Sequence, residues 1–204
     1  MSLTMFAAFW AVSVLFVITP GADWAYAISA GINGRRVLPA VAGMLSGHIV
    51  ATLIVAAGVG SVIAGVPGVL TSLTIAGAGY LFWLGLGMLR HPSAPMMVQD
   101  EDTGSRLKWA LKGFCISGLN PKVFLLFVAL LPQFTDVHSL WPLPLQMTAL
   151  GLVHVVSCGV VYLLVGFGSG KVLQSRSRAA HNVSRISGGM MMIIAVLLMA
   201  EQFY

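Results

Sequence analysis

Charged residues are scarce in this chain. They make up 8% of its 204 residues, whereas a soluble domain of this size carries roughly 25%. The mean hydropathy is +0.92. So little charge excludes an ordinary soluble domain and argues against nucleic acid as a partner, although the net charge is +5. The composition indicates an integral membrane protein.

Cysteine is almost as rare, since Cys115 and Cys158 are the two in the chain. Both lie in apolar segments and form no Cys-x-x-Cys pair, so they are interpreted as small buried apolar side chains. The chain also lacks a nucleotide motif and a grouping of acid, base and nucleophile. We therefore expect neither an enzyme nor a bound cofactor. The first apolar run lacks a basic leader and is too long for a signal peptide, which predicts a retained first span.

Six apolar segments are long enough to cross a bilayer, which takes about 20 helical residues. This pattern predicts an all-α membrane protein with spans at about Thr4–Ala30, Val37–Ile63, Val69–Leu89, Trp109–Leu131, Leu145–Gly168 and Val183–Ala200. The longest hydrophilic stretch divides them into two sets of three. We therefore expect one integrated membrane domain with a first repeat at 1–90, a linker at 91–107 and a second repeat at 108–204.

The basic residues are distributed very unevenly among the predicted loops. With six spans, the first, third and fifth loops lie on one side of the membrane and contain or flank ten of the eleven basic residues: Arg35, Arg36, Arg90, Arg106, Lys108, Lys112, Lys171, Arg176, Arg178 and Arg185. The positive-inside rule assigns that side to the cytoplasm. The linker is then cytoplasmic and both termini lie outside.

Proline interrupts the first and fourth segments at corresponding places. The first interruption reads Thr19-Pro20-Gly21-Ala22-Asp23 and the second reads Leu119-Asn120-Pro121-Lys122. Proline removes a backbone donor and clashes with the preceding turn, so helices 1 and 4 are predicted to break at Pro20 and Pro121. Paired breaks in the two halves of a chain indicate a transporter's binding site.

A weak internal repeat accompanies the breaks, because His48 and His154 occupy similar positions in the second and fifth segments. A unit of three helices ends on the opposite side from where it began. The second unit must therefore enter the membrane inverted, which predicts two inverted three-helix repeats with the site at their interface.

Four ionisable side chains are predicted inside the membrane: Asp23, Lys122, His48 and His154. Charges there are costly and usually functional, although Asp23 and Lys122 can instead pair to hold helices together. Helical rise places both histidines roughly 14–17 Å deep, near the midplane. Either interhelical hydrogen bonding or proton transfer would explain them. His154 shares a helix face with Ser157, Cys158 and Tyr162.

Several of these residues resemble signatures of the LysE/RhtB family of bacterial amino-acid exporters. The strongest likeness is Asn120-Pro121-Lys122 followed by Pro132-Gln133-Phe134, with support from residues 79–85 and Gly34-Arg35-Arg36. Ala22 departs from the family pattern, which commonly has a second proline there. The resemblance implies proton-driven efflux of amino acids or related metabolites across the bacterial inner membrane.

For such an exporter, Asp23 is predicted to bind the substrate ammonium. Lys122, with exposed amides at a half-helix N-terminus, is predicted to bind the carboxylate. The cavity would be shaped by Thr19, Pro20, Gly21, Asn120 and Pro121. Asp23, His48 and His154 are the candidate proton carriers.

Two other functions are compatible with parts of the pattern. A metal or ion permease could use His48, His154, Asp23 and Cys158 as ligands. A thiol redox carrier is less favoured, because Thr19 and Asn120 stand where proline-adjacent cysteines would be expected. Gly43-x-x-x-Gly47 is interpreted as a close helix contact that does not require a homodimer, so the oligomeric state stays open.

Overall fold

A computed structural model describes residues 1–32, 36–65, 68–91, 105–168 and 177–200. Within these ranges the regular structure is entirely helical. The elements are α1 Leu3–Val17, α2 Ala22–Ile32, α3 Val37–Gly65, α4 Val69–Arg90, α5 Arg106–Gly118, α6 Pro121–Leu130, a 3-10 turn Leu131–Phe134, α7 Leu143–Gly168 and α8 Ser177–Ala200. The six predicted apolar segments all fall on these helices.

The first apolar segment consists of two helices, since α1 and α2 are bent by 61° relative to each other. Residues 18–21, which include Pro20, separate them. Side chains satisfy carbonyl groups near this break: Trp24 Nε1 donates to the Val17 carbonyl over 2.8 Å, and the Thr19 hydroxyl donates to the Leu15 carbonyl over 2.5 Å. These bonds satisfy carbonyl groups that the interruption of the helix would otherwise leave without a donor.

The fourth segment is also interrupted, with a bend of 51° between its two helical parts. Pro121 is at the start of α6, where its missing N–H costs nothing because that position has no helical partner. Asn120 caps the new helix, and its Oδ1 accepts a 3.0 Å hydrogen bond from the Lys122 amide.

Three helical stretches in the described residues are long and apolar enough to cross a membrane: Val37–Val59, Thr71–Arg90 and Leu143–Gly168. Each bent pair also passes if it is taken as one span, which gives up to five. In α8 the apolar part, Ser184–Ala200, is shorter. The structure thus establishes a helical membrane protein with three to five candidate spans. Most of the predicted linker (92–104), as well as Arg35, Lys171 and Arg176, lies outside the described residues.

Glycines allow α3 and α5 to pack closely. A side chain at Gly43 would collide with the Ala110 carbonyl, and one at Gly47 would come within 2.6 Å of the Gly118 amide nitrogen. The Gly43-x-x-x-Gly47 motif is therefore used inside the chain, which confirms the close-contact interpretation. This contact fixes α3 beside the second break.

The outer surface of the bundle is apolar. On α7, exposed fractions of 47–69% are found for a stripe of large side chains: Leu152, Val156, Val160, Leu164 and Phe167. The opposite face of the same helix buries His154, Cys158 and Tyr162. An apolar exterior around a partly polar interior is the arrangement expected of a helix bundle in lipid.

Candidate functional site

A small cavity of about 60 Å³ lies where the two helix breaks meet. The first break contributes Thr19, Gly21 and Asp23, and the second contributes Asn120 and Lys122. The remaining polar lining comes from α3 and α7, through His48, His154 and Tyr162. Since one water needs about 10–15 Å³ of such volume, the cavity has room for a few waters and not for an amino acid.

Most of the residues predicted for the site therefore share one cavity. Pro20 is an exception: it is buried in the segment between α1 and α2 and is not among the lining residues. Pro121 is placed at the start of α6, and its side chain lies outside the described part of the chain.

Asp23 connects the two breaks. It lies in the first turn of α2, where the helix dipole favours a negative charge. Ser117 at the end of α5 is fully buried, and its hydroxyl donates a 2.5 Å hydrogen bond to Asp23 Oδ1. The Tyr162 side chain lies close to the same carboxylate. Asp23, in the first half of the chain, is thus held by two side chains from the second half.

Lys122 lines two cavities. Besides the small central cavity it lines a second one of about 380 Å³, whose other residues come from the C-terminal part of α4 and include Arg90 and His91. Lys122 is in the first turn of α6, where the helix dipole disfavours a cation. An anion bound beside Lys122 would offset this unfavourable interaction with the helix dipole.

The expectation that half-helix amides would bind a carboxylate is wrong for α6. The Lys122 amide bonds to the Asn120 side chain. The Val123 and Phe124 amides bond to the Asn120 carbonyl, over 3.0 and 3.3 Å, and Pro121 has no N–H. The capping residue therefore uses these donors, and the Lys122 ammonium is the cationic group that lines the cavity on this side.

The two histidines are buried neighbours, with ring centroids 5.5 Å apart. His154 Nδ1 is 2.7 Å from the hydroxyl of Ser13 in α1, so the predicted interhelical bond is present for this residue. For His48 the bond seen is within its own helix, because its Nδ1 lies 2.9 Å from the Met44 carbonyl. Phe127 packs edge-on against both rings.

Cys158 extends this histidine pair. Its sulfur is 3.3 Å from His154 Nε2, and the ligand atoms of His48, His154 and Cys158 all lie within 4.8 Å of one another. Asp23 does not belong to this group, although the ion-permease hypothesis included it. Both cysteines are free thiols. Cys158 is buried as expected, but the expectation of a buried side chain is wrong for Cys115, which is exposed.

Residues 14–202 match the sequence profile of the LysE-type translocators. The chain belongs to this family. It is therefore a membrane transporter and not an enzyme, and the resemblance seen in the sequence motifs is confirmed.

Curated relatives agree with the assignment to this translocator family. A Vibrio cholerae membrane protein is 27% identical over 97% of this chain and 98% of its own. A leucine efflux protein of Klebsiella pneumoniae is 27% identical over 75% of this chain and 74% of its own. A homoserine/homoserine lactone efflux protein of Salmonella typhimurium is 27% identical over 71% and 70%. No solved structure matches the chain.

Sequence reasoning missed three residues that organise the translocator's cavity. Ser13 is a polar residue within the long apolar run of α1, and that setting was the available signal. Ser117 lies four residues before Pro121, one helical turn away from the break. Trp24 follows Asp23 directly, yet nothing in the sequence indicates that its indole reaches back to Val17.

Proposed function

We propose that this translocator exports amino acids or related small metabolites across the bacterial cytoplasmic membrane by proton antiport. One observation carries the proposal: Asp23 and Lys122, of opposite charge and from different breaks, line one cavity. A zwitterion needs an anionic partner for its ammonium and a cationic partner for its carboxylate. The names of the leucine and homoserine efflux relatives support this substrate class.

The proposed architecture is six spans arranged as two inverted repeats, with helices 1 and 4 broken at Pro20 and Pro121. Bent helix pairs at corresponding places in the two halves support it. So does the packing, since α1 and α2 contact α7 while α5 and α6 contact α3. The uneven loop charge supports cytoplasmic loops on the side of Arg90 and Arg106, with both termini outside.

The larger cavity suggests a route for the substrate. Arg90 and His91 line it at the end of α4, on the side proposed as cytoplasmic, and Lys122 lines both this cavity and the central one. A substrate carboxylate entering there would meet Arg90 before Lys122. The central cavity must then widen, because typical ligand pockets have volumes of about 300–1,000 Å³.

In this mechanism the proton and the substrate amine compete for Asp23. Protonation from the outside displaces the amine, and the neutral site returns inward, where the cytoplasm removes the proton. His48 and His154 are alternative proton carriers. Their Nδ1 atoms are already engaged with Met44 and Ser13, which favours Asp23 as the exchanging group.

The test has two stages. Cells with and without the protein are loaded with peptides, and the exported amino acids identify the substrate. Purified protein in liposomes is then given that substrate and an imposed pH gradient. We expect substrate movement against its gradient that collapses when the pH gradient is dissipated; movement indifferent to the pH gradient would reject antiport.

A further inference from the structure

We propose that His48, His154 and Cys158 form a binding site for a thiophilic transition-metal ion such as Zn²⁺, and that the bound ion blocks export. This site is distinct from the Asp23–Lys122 pair proposed for the substrate. Its three ligand atoms come from α3 and α7 and converge to within 4.8 Å of one another.

The separations suit a metal after a small movement. Zinc lies about 2.0–2.1 Å from histidine nitrogen and about 2.3 Å from thiolate sulfur, so tetrahedral ligands are roughly 3.3–3.8 Å apart. His154 Nε2 and Cys158 Sγ, at 3.3 Å, already have this spacing. The His48 ligand atom lies within 4.8 Å of the other two, so a movement of roughly 1 Å would bring it into this range.

Hydrogen bonds to Met44 and Ser13 orient both imidazoles for this role. His48 Nδ1–H donates to the Met44 carbonyl. In the tautomer in which His154 Nδ1–H likewise donates to the Ser13 hydroxyl, each Nε2 carries the lone pair. Metal-bound histidines are typically fixed in this way. Two histidine nitrogens and one sulfur favour Zn²⁺ or a copper ion over Mg²⁺ or Ca²⁺.

The site is accessible although its members are buried. His48 and His154 line the central cavity, so an ion can approach through it, and a water in that cavity can supply a fourth ligand. As the metal–sulfur bond forms, the Cys158 thiol releases its proton to water. The ion would then connect α3 and α7 and place positive charge where the substrate ammonium must pass.

The binding test uses Co²⁺, which reports sulfur coordination through its charge-transfer absorption. We expect one Co²⁺ per wild-type chain, displaced by Zn²⁺ and not by Mg²⁺. Cys158→Ser should abolish the charge-transfer band, whereas the matched control Cys115→Ser should keep it. His48→Gln and His154→Gln should each weaken binding at least tenfold, with helix content and gel-filtration profile unchanged.

A positioning variant provides an independent check. Ser13→Ala removes no ligand but frees the His154 ring, and loss of such an outer partner typically weakens affinity about 10–100-fold. Absence of the band in wild type, or its persistence in Cys158→Ser, would overturn the site. These readouts need no transport, so they stand apart from any failure of the proposed export function.

Block of export is tested by comparing each variant with and without Zn²⁺ in liposomes. We expect Zn²⁺ to lower wild-type and Cys115→Ser transport at least fivefold, and to change Cys158→Ser transport less than twofold. Equal inhibition of all three proteins, or Zn²⁺ carried into the vesicles, would overturn the inhibitory role.

Discussion

Ser117 and Asp23 join the two helix breaks through a hydrogen bond of 2.5 Å from the serine hydroxyl to carboxylate Oδ1. The donor ends α5 and the acceptor begins α2, so the bond links the two halves of the chain at the edge of the cavity. A movement of either break would therefore shift the Asp23 carboxylate, which we propose binds the substrate ammonium and the proton.

Replacing Asp23 with asparagine should abolish proton-coupled export while leaving expression intact. The amide keeps the size of the side chain but can neither attract an ammonium nor exchange a proton. Export in liposomes with an imposed pH gradient should fall at least tenfold. Asp136→Asn, in the segment between the 3-10 turn and α7, is the matched control; coupled transport by Asp23→Asn at the wild-type rate would reject the assignment.

Removing the Ser117 hydroxyl should impair export without unfolding the protein. Hydrogen bonds to charged groups contribute about 1.5–3 kcal/mol, and partial exposure of Asp23 reduces that benefit, so we expect a loss of up to ~10-fold in Ser117→Ala. Ser46→Ala serves as the control, because its hydroxyl bonds within its own helix to Gly43. Equal rates for the two variants would show that the link between the breaks has no role in transport.

Lys122→Gln should discriminate between substrates with and without a carboxylate. If the ammonium of Lys122 binds that carboxylate, export of the amino acid should fall at least tenfold, while export of the corresponding amine should change much less. Competition assays in liposomes measure both. Lys108 is exposed on α5, so Lys108→Gln controls for the lost charge. An equal loss of export for the amino acid and the amine in Lys122→Gln would contradict carboxylate binding.

Gly43→Ala should destabilise the bundle, because the new methyl group meets the Ala110 carbonyl. Overpacking of this kind costs about 1–3 kcal/mol. Gly79→Ala is the matched control, since nothing lies within 4 Å of a side chain built there, and it should gain up to ~1 kcal/mol from helix propensity. Thermal unfolding in detergent compares the two; a Gly43→Ala midpoint at or above that of Gly79→Ala would contradict the packing argument.

The proposed topology predicts opposite labelling at two engineered positions. In a chain without native cysteines, Ser2→Cys should react with a membrane-impermeant maleimide in intact cells. Ser93→Cys, in the predicted cytoplasmic linker, should react only after the cells are opened. Labelling of Ser93→Cys alone in intact cells would reverse the orientation.

The sequence predicted where the apolar helices lie, because hydropathy marks the apolar segments, although three to five candidate spans are seen where six were expected. It also indicated that residues around Pro20 and Pro121 would share a cavity. Each proline interrupts its helix locally, and paired interruptions in the two halves of a chain indicate a common site. The hydrogen bonds within that cavity were not predictable. Whether His48 bonds to another helix or to Met44 depends on helix rotation, which helical spacing leaves undetermined.

The failed expectation about the α6 amides has the same origin. The Asn-Pro-Lys motif predicts both a helix start and a cavity position for Asn120. Asn120 also caps α6, and this occupies the amides that were predicted to bind a carboxylate. Asn120 both lines the cavity and caps α6, and the sequence motif does not show which groups each role occupies.

The cavity volume has a consequence for the order of events in transport. Water, and with it a proton, fits beside Asp23 in a conformation that has no space for an amino acid. If antiport operates as proposed, the carboxylate can change its protonation state before the bundle opens to cargo. This order of events would prevent the proton and the substrate from crossing the membrane together, and so limit dissipation of the proton gradient without export.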